Sequence, residues 1–465
     1  MKKIKSVFKT EGTVNGAYRV GLTVLVIGIV VLINLIFGML PERYRKIDVS
    51  STKIYDISDT TEEFLDELQH DVSFTILAQK EDTDDRIKTI VDKYAGLSDK
   101  ISVKWVDPVL HPSAAAQYDA SENMIVVECE DTGRTTLISF SDIIVFDTSS
   151  YFYTGQVQES EFDGEGQLTA AVNYVSTDIS KNIYYMTGHG EQAFSGTMTS
   201  LIEKNNYRTD ELNLMMDTQI PENCDLLVIY APAKDIENIE LENIRKYLKD
   251  GGDVMILLGD ISSLEMPNIA SLMEEYGMTE ESGYLADPAR CYQGNPYVIF
   301  PELSVQGKMA DKIVSEMVLL ADVKGMNIVT PARDTISTSE FMTSSDQAVV
   351  VSENEQKPGQ YALGAVAVES TAEGEESKIT VISAGSMIDP GITDGFTGLE
   401  NTTLFMNVLN SHFDDVKNIS VEPKSLLVEY NAVRYPGIFS LLVIFGIPAV
   451  VLVSGFIVWY KRRKA

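Results

Sequence analysis

The chain has 465 residues, of which 44% are hydrophobic and 23% are charged, and its formal net charge at pH 7 is −32. This composition is close to ordinary globular usage and excludes a wholly disordered chain, and the length predicts roughly three structural units. The excess of acidic residues counts against nucleic-acid binding, which needs a concentrated cationic face. The three cysteines, Cys129, Cys224 and Cys291, fit neither a disulfide framework nor a zinc signature.

Charge is unevenly distributed along the chain. The first 40 residues hold five basic residues and one acidic residue, the last 30 hold four basic and no acidic residues, and residues 41–435 carry a net charge of −40. Two uncharged apolar segments, residues 20–40 and 437–459, separate the basic ends from the acidic middle. Each is long enough for a transmembrane helix, which needs about 20 apolar residues.

The predicted topology is a cell-membrane protein with two spans. The positive-inside rule places the basic tails, residues 1–19 and 460–465, in the cytoplasm and the acidic middle outside it. The first apolar segment is longer than the apolar region of a signal peptide and no A-x-A-like cleavage site follows it, so we interpret it as an uncleaved anchor. Buried core helices are the alternative, but they are seldom apolar on every face over such a length.

Residues 41–155 predict an extracytoplasmic α/β unit. Its predicted elements are strands at 72–78 and 101–106, a helix with the apolar face Ile87, Ile90, Val91 and Tyr94, and a hairpin at 124–129 and 135–139. The order β-α-β followed by a hairpin is typical of a thioredoxin-like sheet. No C-x-x-C motif is present in the sequence, which excludes disulfide redox chemistry on that sheet.

Residues 156–425 predict a second, larger extracytoplasmic α/β unit. A solvated acidic linker is predicted at residues 161–166, near its start. Alternating apolar strands and helices are typical of a doubly wound parallel sheet. The predicted strands are 183–186, 226–230, 254–258 and 378–383, and the predicted helices lie around 197–204, 241–248 and 402–413. Residues 266–360 show no pattern from which strands can be ordered.

In doubly wound sheets, ligands bind outside the carboxyl ends of the strands. The candidate ligand or partner site is therefore the loop after the first strand of the second unit, formed by Thr187, Gly188, His189, Gly190 and Glu191. With a helix N-terminus directly after it, His189 predicts a general base or an anion site on helix amides. The alternative is a glycine-rich turn in which His189 caps that helix.

Motifs of several enzyme classes are missing from the sequence. Neither G-x-G-x-x-G nor G-x-x-x-x-G-K-[ST] is present, which counts against a dinucleotide fingerprint and a P-loop. The four histidines are well separated, which argues against a His-rich zinc site. Ser386 and the cysteines do not sit between glycines at a strand-to-helix turn, so no nucleophile elbow and no triad are predicted. We therefore expect no catalytic residue, no metal and no cofactor.

Five segments of the sequence together resemble the Gldg-type proteins, the auxiliary components of ABC transport systems named for bacterial gliding motility. The segments are residues 53–58, 103–108, 166–171, 185–191 and 404–410, and the Thr-Gly-His-Gly-Glu pentapeptide at 187–191 is the most specific piece. The resemblance implies an ATPase and a multi-spanning permease as partners. It also implies that the second unit is similar to class I glutamine amidotransferases but lacks their nucleophile.

The resulting hypothesis is a non-enzymatic, membrane-anchored accessory subunit of an ABC transporter, which presents an extracytoplasmic domain to its permease and ATPase partners. Two alternatives stay open: a membrane-anchored hydrolase that uses His189 and Glu191, and a ligand-sensing ectodomain that uses the loop at 187–191. A homo-oligomer also stays open, because the sequence does not fix the number of copies.

Overall fold

The computed structural model describes residues 53–147 and 157–426, apart from residues 179, 261, 354, 371–375, 397, 415 and 417. The two predicted spans, at 20–40 and 437–459, and both predicted cytoplasmic tails lie outside these residues. Within the part of the chain that the structure describes, no helix has the length and apolar character that crossing a membrane requires.

The first unit packs helices on a mixed sheet. Its strands are β1 (Val72–Leu77), β2 (Ile101–Val106), β3 (Met124–Cys129), β4 (Arg134–Ser139), β5 (Ile144–Asp147) and β6 (Gln158–Phe162). Its helices are α1 (Asp59–Asp66), α2 (Asp85–Ala95), α3 (Pro112–Gln117), α4 (Phe140–Ile143) and α5 (Gly164–Ser176). The sheet order is β2-β1-β3-β4, with β1 parallel to β2 and the other pairs antiparallel. The predicted β-α-β segment and hairpin are confirmed.

Helix α2 shows how the sequence determines this packing. Its N-cap is Asp84, whose side chain accepts a hydrogen bond from the amide of Arg86. The predicted apolar residues at helical spacing are all buried, namely Ile87, Ile90, Val91 and Tyr94. Because an α-helix has 3.6 residues per turn, this spacing forms one stripe, which packs on the sheet beside Phe74.

Helix α5 belongs to the core of the first unit. Leu168 and Val172 are fully buried in the hydrophobic cluster of the first sheet. The solvated linker predicted at 161–166 is therefore wrong, because these residues form the end of β6 and the first turn of α5. Asp163 and Glu165 are buried there, and lysines distant in sequence neutralise them.

Parallel strands form the centre of the sheet in the second unit. They are β7 (Lys181–Met186), β8 (Tyr207–Leu212), β9 (Leu226–Tyr230), β10 (Val254–Leu257) and β22 (Glu376–Ile382). The helices of this unit are α6 (Gly196–Lys204), α7 (Asn238–Lys249), α8 (Pro267–Glu275), α9 (Pro390–Thr393) and α10 (Asn401–Asn410). The parallel order is β22-β10-β9-β7-β8, and the antiparallel strand β21 (Ala362–Ser370) pairs with the other side of β22.

Short strands fill most of the stretch that showed no pattern in the sequence. They are β11 (Met278–Glu280), β12 (Tyr284–Ala286), β13 (Cys291–Tyr292), β14 (Asn295–Ile299), β15 (Glu302–Leu303), β16 (Leu320–Ala321), β17 (Met326–Ile328), β18 (Ile336–Thr343), β19 (Val349–Val351) and β20 (Gln356–Pro358). Strands β11, β15, β17 and β18 extend the main sheet beyond β21, and the others form two three-stranded antiparallel sheets. A last strand, β23 (Lys424–Ser425), returns to pair with β6 of the first unit.

Helices cover both faces of the parallel sheet. Along β9, Leu226 and Val228 join the cluster that contains α6 and α10, whereas Leu227 and Ile229 join the cluster that contains α7 and α8. Successive side chains of a strand point to opposite faces, so a strand buried on both faces is a continuous apolar run. The predicted α/β class, with a parallel sheet covered on both sides, is confirmed.

Candidate functional site

The candidate loop at 187–191 lies where it was predicted, at the carboxyl end of β7. Gly188 and Gly190 have φ angles of 120° and 77°, which L side chains rarely adopt. A Cβ atom on Gly188 would lie 3.1 Å from Asn213 Nδ2, and one on Gly190 would lie 3.0 Å from the Ala233 Cβ. The amide of Thr187 donates to the carbonyl of the last residue of β8. The loop therefore needs both glycines to fit between its neighbours.

Two buried carboxylates enclose His189. Its Nδ1 lies 3.1 Å from Glu191 Oε1, and its Nε2 lies 2.9 Å from Glu240 Oε2, at ion-pair distance but without the geometry of a hydrogen bond. The side chains of these three residues are at most 5% exposed. The second oxygen of Glu191 accepts a hydrogen bond of 2.7 Å from the amide of His189, which closes the loop on itself.

Glu240 connects this loop to helix α7. It belongs to the first turn of that helix, and its Oε2 accepts a hydrogen bond of 2.7 Å from the amide of the N-cap residue Glu237. One carboxylate oxygen thus serves both the helix N-terminus and the imidazole. The helix that follows the loop in the sequence is not α7 but α6. It begins at Gly196, and its N-cap is Ser195. The prediction that His189 caps that helix is therefore wrong, whereas the anion site on its amides stays a prediction.

Two of the three cysteines are buried, and the hydroxyl of Ser386 is already hydrogen-bonded. Cys129 and Cys224 are buried, and burial raises the pKa of Cys224 to about 11. Cys291 is partly exposed, on the short strand β13. The Ser386 hydroxyl donates to the carbonyl of Ala321 and accepts from its amide, at 2.8 and 2.9 Å.

A chain of three polar side chains escaped the sequence analysis, which predicted no triad. His412 Nδ1 lies 2.8 Å from Asp253 Oδ2, and His412 Nε2 lies 3.0 Å from the Thr380 hydroxyl. This is the order acid, imidazole, hydroxyl, but Thr380 is fully buried within β22. The second oxygen of Asp253 accepts from the amide of Lys378, so the chain of hydrogen bonds ties β10, β22 and the end of α10 together.

Two lysine–carboxylate pairs join the two units, and both carboxylates are buried. Lys204 Nζ lies 2.8 Å from Asp163 Oδ1 and donates to the carbonyl of Val421, also at 2.8 Å. Burial raises the pKa of Asp163, and the lysine opposes that effect. Lys424 Nζ lies 3.0 Å from Glu165 Oε2. Neither pair could be predicted from the sequence, because the partners are far apart along the chain.

Over the described residues, no group of three or more histidine, cysteine, aspartate or glutamate side chains is arranged to hold a metal ion. The His189 cluster supplies three such residues, but the contacts among its own groups occupy the imidazole on both sides.

Two family models match the chain. Residues 180–409 match the one described as "ABC-type uncharacterized transport system", and residues 51–145 match one described as a domain of unknown function, DUF7088. The first match begins just before β7 and includes the loop at 187–191 and nearly all of α10. No curated protein sequence matches the chain.

Several solved structures are similar to about half of the chain. The "mmIFT52 N-terminal domain" has 16% identity and a TM-score of 0.39, over 51% of this chain and 99% of that one. A ThuA-like protein from Bacteroides uniformis has 12% identity and a TM-score of 0.33, over 51% and 92%. PurLQS from Thermotoga maritima has 10% identity and a TM-score of 0.26, over 50% and 99%. TM-scores this low do not establish a shared fold, so the amidotransferase-like and thioredoxin-like relationships stay predictions.

Proposed function

Residues 180–409 make this chain a member of the family of auxiliary components of ABC-type transport systems, and on that premise we propose that it is a non-enzymatic, membrane-anchored subunit. In this proposal, its two α/β units stand outside the cytoplasm and contact a permease, and the permease is driven by a separate ATPase. The amidotransferase-like unit serves as a docking module in this arrangement.

The enclosure of His189 carries the non-enzymatic part of the proposal. A general base must come within hydrogen-bond reach of the proton that it removes. Glu191 and Glu240 lie within 3.1 Å of the two ring nitrogens of His189 and shield them, and the side chain is 5% exposed. The arrangement favours a structural role, in which the imidazole fixes the loop to helix α7, over the alternative role of a hydrolase base.

The meeting of the two ends of the described chain supports the two-span arrangement. Lys424 donates to the backbone carbonyl of Asp56, and Ser58 donates to the same carboxylate that Lys424 contacts, Glu165. The amide of Leu426 donates to the carbonyl of Ser160 at 2.8 Å. The two ends of the described residues that face the apolar stretches therefore lie close together, as two neighbouring membrane helices require.

Charge supports a protein partner rather than a lipid surface. Residues 41–435 carry a net charge of −40. Such a domain is repelled by anionic lipid headgroups and does not lie flat on them. A permease beneath the domain is the more natural support.

Thiol labelling in intact cells tests the proposed topology. Because Cys291 is partly exposed, the experiment starts from a Cys291→Ser background in which the remaining native cysteines are buried. Ser6→Cys and Arg463→Cys should resist a membrane-impermeant maleimide, whereas Asp82→Cys, in an exposed loop, should react. Labelling of the terminal positions with protection of the loop would contradict the topology.

Activity measurements test the non-enzymatic part. The purified full chain should show no turnover on panels of ester, amide and phosphate substrates. Turnover that His189→Ala abolishes, while the circular dichroism spectrum stays unchanged, would overturn this part of the proposal and favour the hydrolase.

A further inference from the structure

Strand β23 belongs to a small sheet in which β6 lies between β23 and β5. Both outer strands are antiparallel to β6, so β5 and β23 run in the same direction. Ile144 and Lys424 lie opposite the same residue, Phe162, and the amide of Leu426 donates to the carbonyl of Ser160. The last residues of β5 and the residue Leu426 therefore lie at the same end of this sheet.

The second predicted span begins shortly after this end of the sheet. Leu426 is the last residue that the structure describes, and ten residues, 427–436, separate it from the apolar segment 437–459. An extended chain spans at most about 3.3–3.6 Å per residue, so the connection reaches roughly 40 Å at most. In the proposed two-span arrangement, the end of the sheet that holds Leu426 therefore lies within this distance of the membrane.

Two exposed apolar side chains lie at the same end of the sheet. Phe146 is 46% exposed and Val157 is 47% exposed. Phe146 lies opposite Glu159 in the pairing of β5 with β6, and Val157 directly precedes β6. Among the phenylalanines that the structure describes, Phe146 is the most exposed. We call Phe146 and Val157 together the β5–β6 end.

Few unpaired charges accompany the β5–β6 end. Arg86 donates to both carboxylate oxygens of Glu159, at 2.6 and 2.8 Å, and this contact lowers the pKa of Glu159. Between Phe146 and Val157 the sequence holds one charged residue, Asp147. The β5–β6 end is therefore a weakly charged place on a region, residues 41–435, whose net charge is −40.

We propose that the β5–β6 end contacts the phospholipid surface of the membrane. Contact with the upper part of the acyl chains removes the apolar surface of Phe146 and Val157 from water, which favours the contact. The inference rests on the membrane anchoring in the proposed function and adds a lipid contact to the contact with a permease. The net charge of −40 does not oppose it, because this end and not an acidic face of the region meets the lipid.

Quenching of fluorescence by lipid tests the contact. A nitrobenzoxadiazole label is attached to Phe146→Cys or Val157→Cys in the Cys291→Ser background, and the full chain is reconstituted without partners in nanodiscs of zwitterionic phosphatidylcholine. Bromine atoms on the acyl chains near the headgroup quench a label that touches them. Both labels should lose fluorescence in brominated nanodiscs relative to unbrominated ones. A label on Leu264→Cys, at a residue of the second unit with a similar exposure of 49%, should keep its fluorescence.

Two matched variants separate the lipid contact from an effect of the label. Phe146→Asp should reduce the quenching of the label on Val157→Cys, because moving a carboxylate out of water is unfavourable. Leu264→Asp, which adds the same charge at an exposed residue outside the β5–β6 end, should leave the quenching unchanged. An equal effect of the two variants would overturn the inference.

A label on Ser440→Cys, within the predicted span 437–459, distinguishes failure of this inference from failure of the proposed function. Quenching at Ser440 without quenching at Phe146 and Val157 would overturn the inference and leave the anchoring intact, which is the result expected where a permease covers the β5–β6 end. Quenching at Leu264 as strong as at Phe146 would also overturn it. Absence of quenching at Ser440 would overturn the anchoring, and the inference with it.

Discussion

Replacing His189 with leucine is predicted to destabilise the carboxyl edge of the parallel sheet strongly. In the native chain, the imidazole lies 3.1 Å from Glu191 Oε1 and 2.9 Å from Glu240 Oε2, and these carboxylates are 3% and 0% exposed. Leucine fills a similar volume but supplies no hydrogen-bond donor. Removing one partner leaves buried polar groups unsatisfied, which costs about 1–3 kcal/mol for each group and more for a charged one.

Hydrogen exchange of the full chain measures this loss of stability at the strands next to the loop. Amides of β7 and β9 flank the loop, and their exchange reports the free energy of local opening. A loss of about 3 kcal/mol corresponds to roughly 150-fold faster exchange of these amides, since every 1.4 kcal/mol is a factor of ten. Strands of the first unit should keep their exchange rates, because they belong to a separate hydrophobic cluster.

His70 provides the matched control. Its Nδ1 lies 3.0 Å from Asp131, a distance like that in the His189 cluster, but the two side chains are 41% and 65% exposed. His70→Leu should therefore cost less than about 1 kcal/mol, the usual value of a surface pair. Adding Glu240→Gln to His189→Leu should recover part of the loss, because one buried charge is removed. A loss below about 1 kcal/mol in His189→Leu would refute the stabilising role of the buried His189 cluster.

Three further predictions concern packing and pH, each read as a shift of the urea unfolding midpoint by circular dichroism. Lys204→Met removes the partner of a carboxylate buried between the units and should cost about 3 kcal/mol, whereas Lys234→Met, at an exposed lysine, should stay within about 0.5 kcal/mol. Gly166→Ala places a Cβ atom 2.7 Å from the Lys204 Nζ and should also destabilise, unlike Gly196→Ala, where the Cβ atom has no neighbour within 4 Å. Burial raises the pKa of Cys224 from 9.0 to about 11, so folding disfavours its thiolate, and stability should fall as pH rises from 9 to about 11. The fall in stability should be smaller in Cys224→Ala. An unchanged fall would contradict the raised pKa of the Cys224 thiol as its cause.

The sequence predicted elements whose physical cause is local. Strands β9 and β10 are continuous apolar runs because both of their faces are buried, and the predicted and observed bounds of β9 coincide. Helix α2 was predicted from the spacing of its buried residues. In these elements the burial of each side chain follows from the period of the secondary structure itself.

Elements at the edges of the sheet were missed. Strand β8, at one end of the parallel order, reads Tyr-Arg-Thr-Asp-Glu-Leu, and only Tyr207 and Leu212 are buried in it. An edge strand with polar side chains avoids pairing with other chains, but it carries no apolar signal. The strands of two or three residues between 278 and 358 are too short for any period to show.

The buried charged residues were also not predicted from the sequence. Their partners determine how enclosed the candidate site is. Asp163 and Glu165 look solvated in the sequence because nothing near them is basic, and their partners Lys204 and Lys424 are supplied by the second unit. The carboxylate of Glu240 reaches His189 only because α7 begins beside the loop. Pairings of this kind depend on the tertiary fold, so a single sequence predicts the loop but not its enclosure.

The association with a transporter is the central claim, and isolation of the native complex tests it most directly. The full chain, carrying an affinity tag, is extracted from its own membranes with a mild detergent, and the isolated proteins are quantified by mass spectrometry. A tagged, unrelated two-span membrane protein provides the control. We predict that a permease and an ATPase of ABC type are isolated with the chain in comparable molar amounts and are missing from the control. Isolation of the chain alone, from membranes in which both subunits are detected, would contradict it.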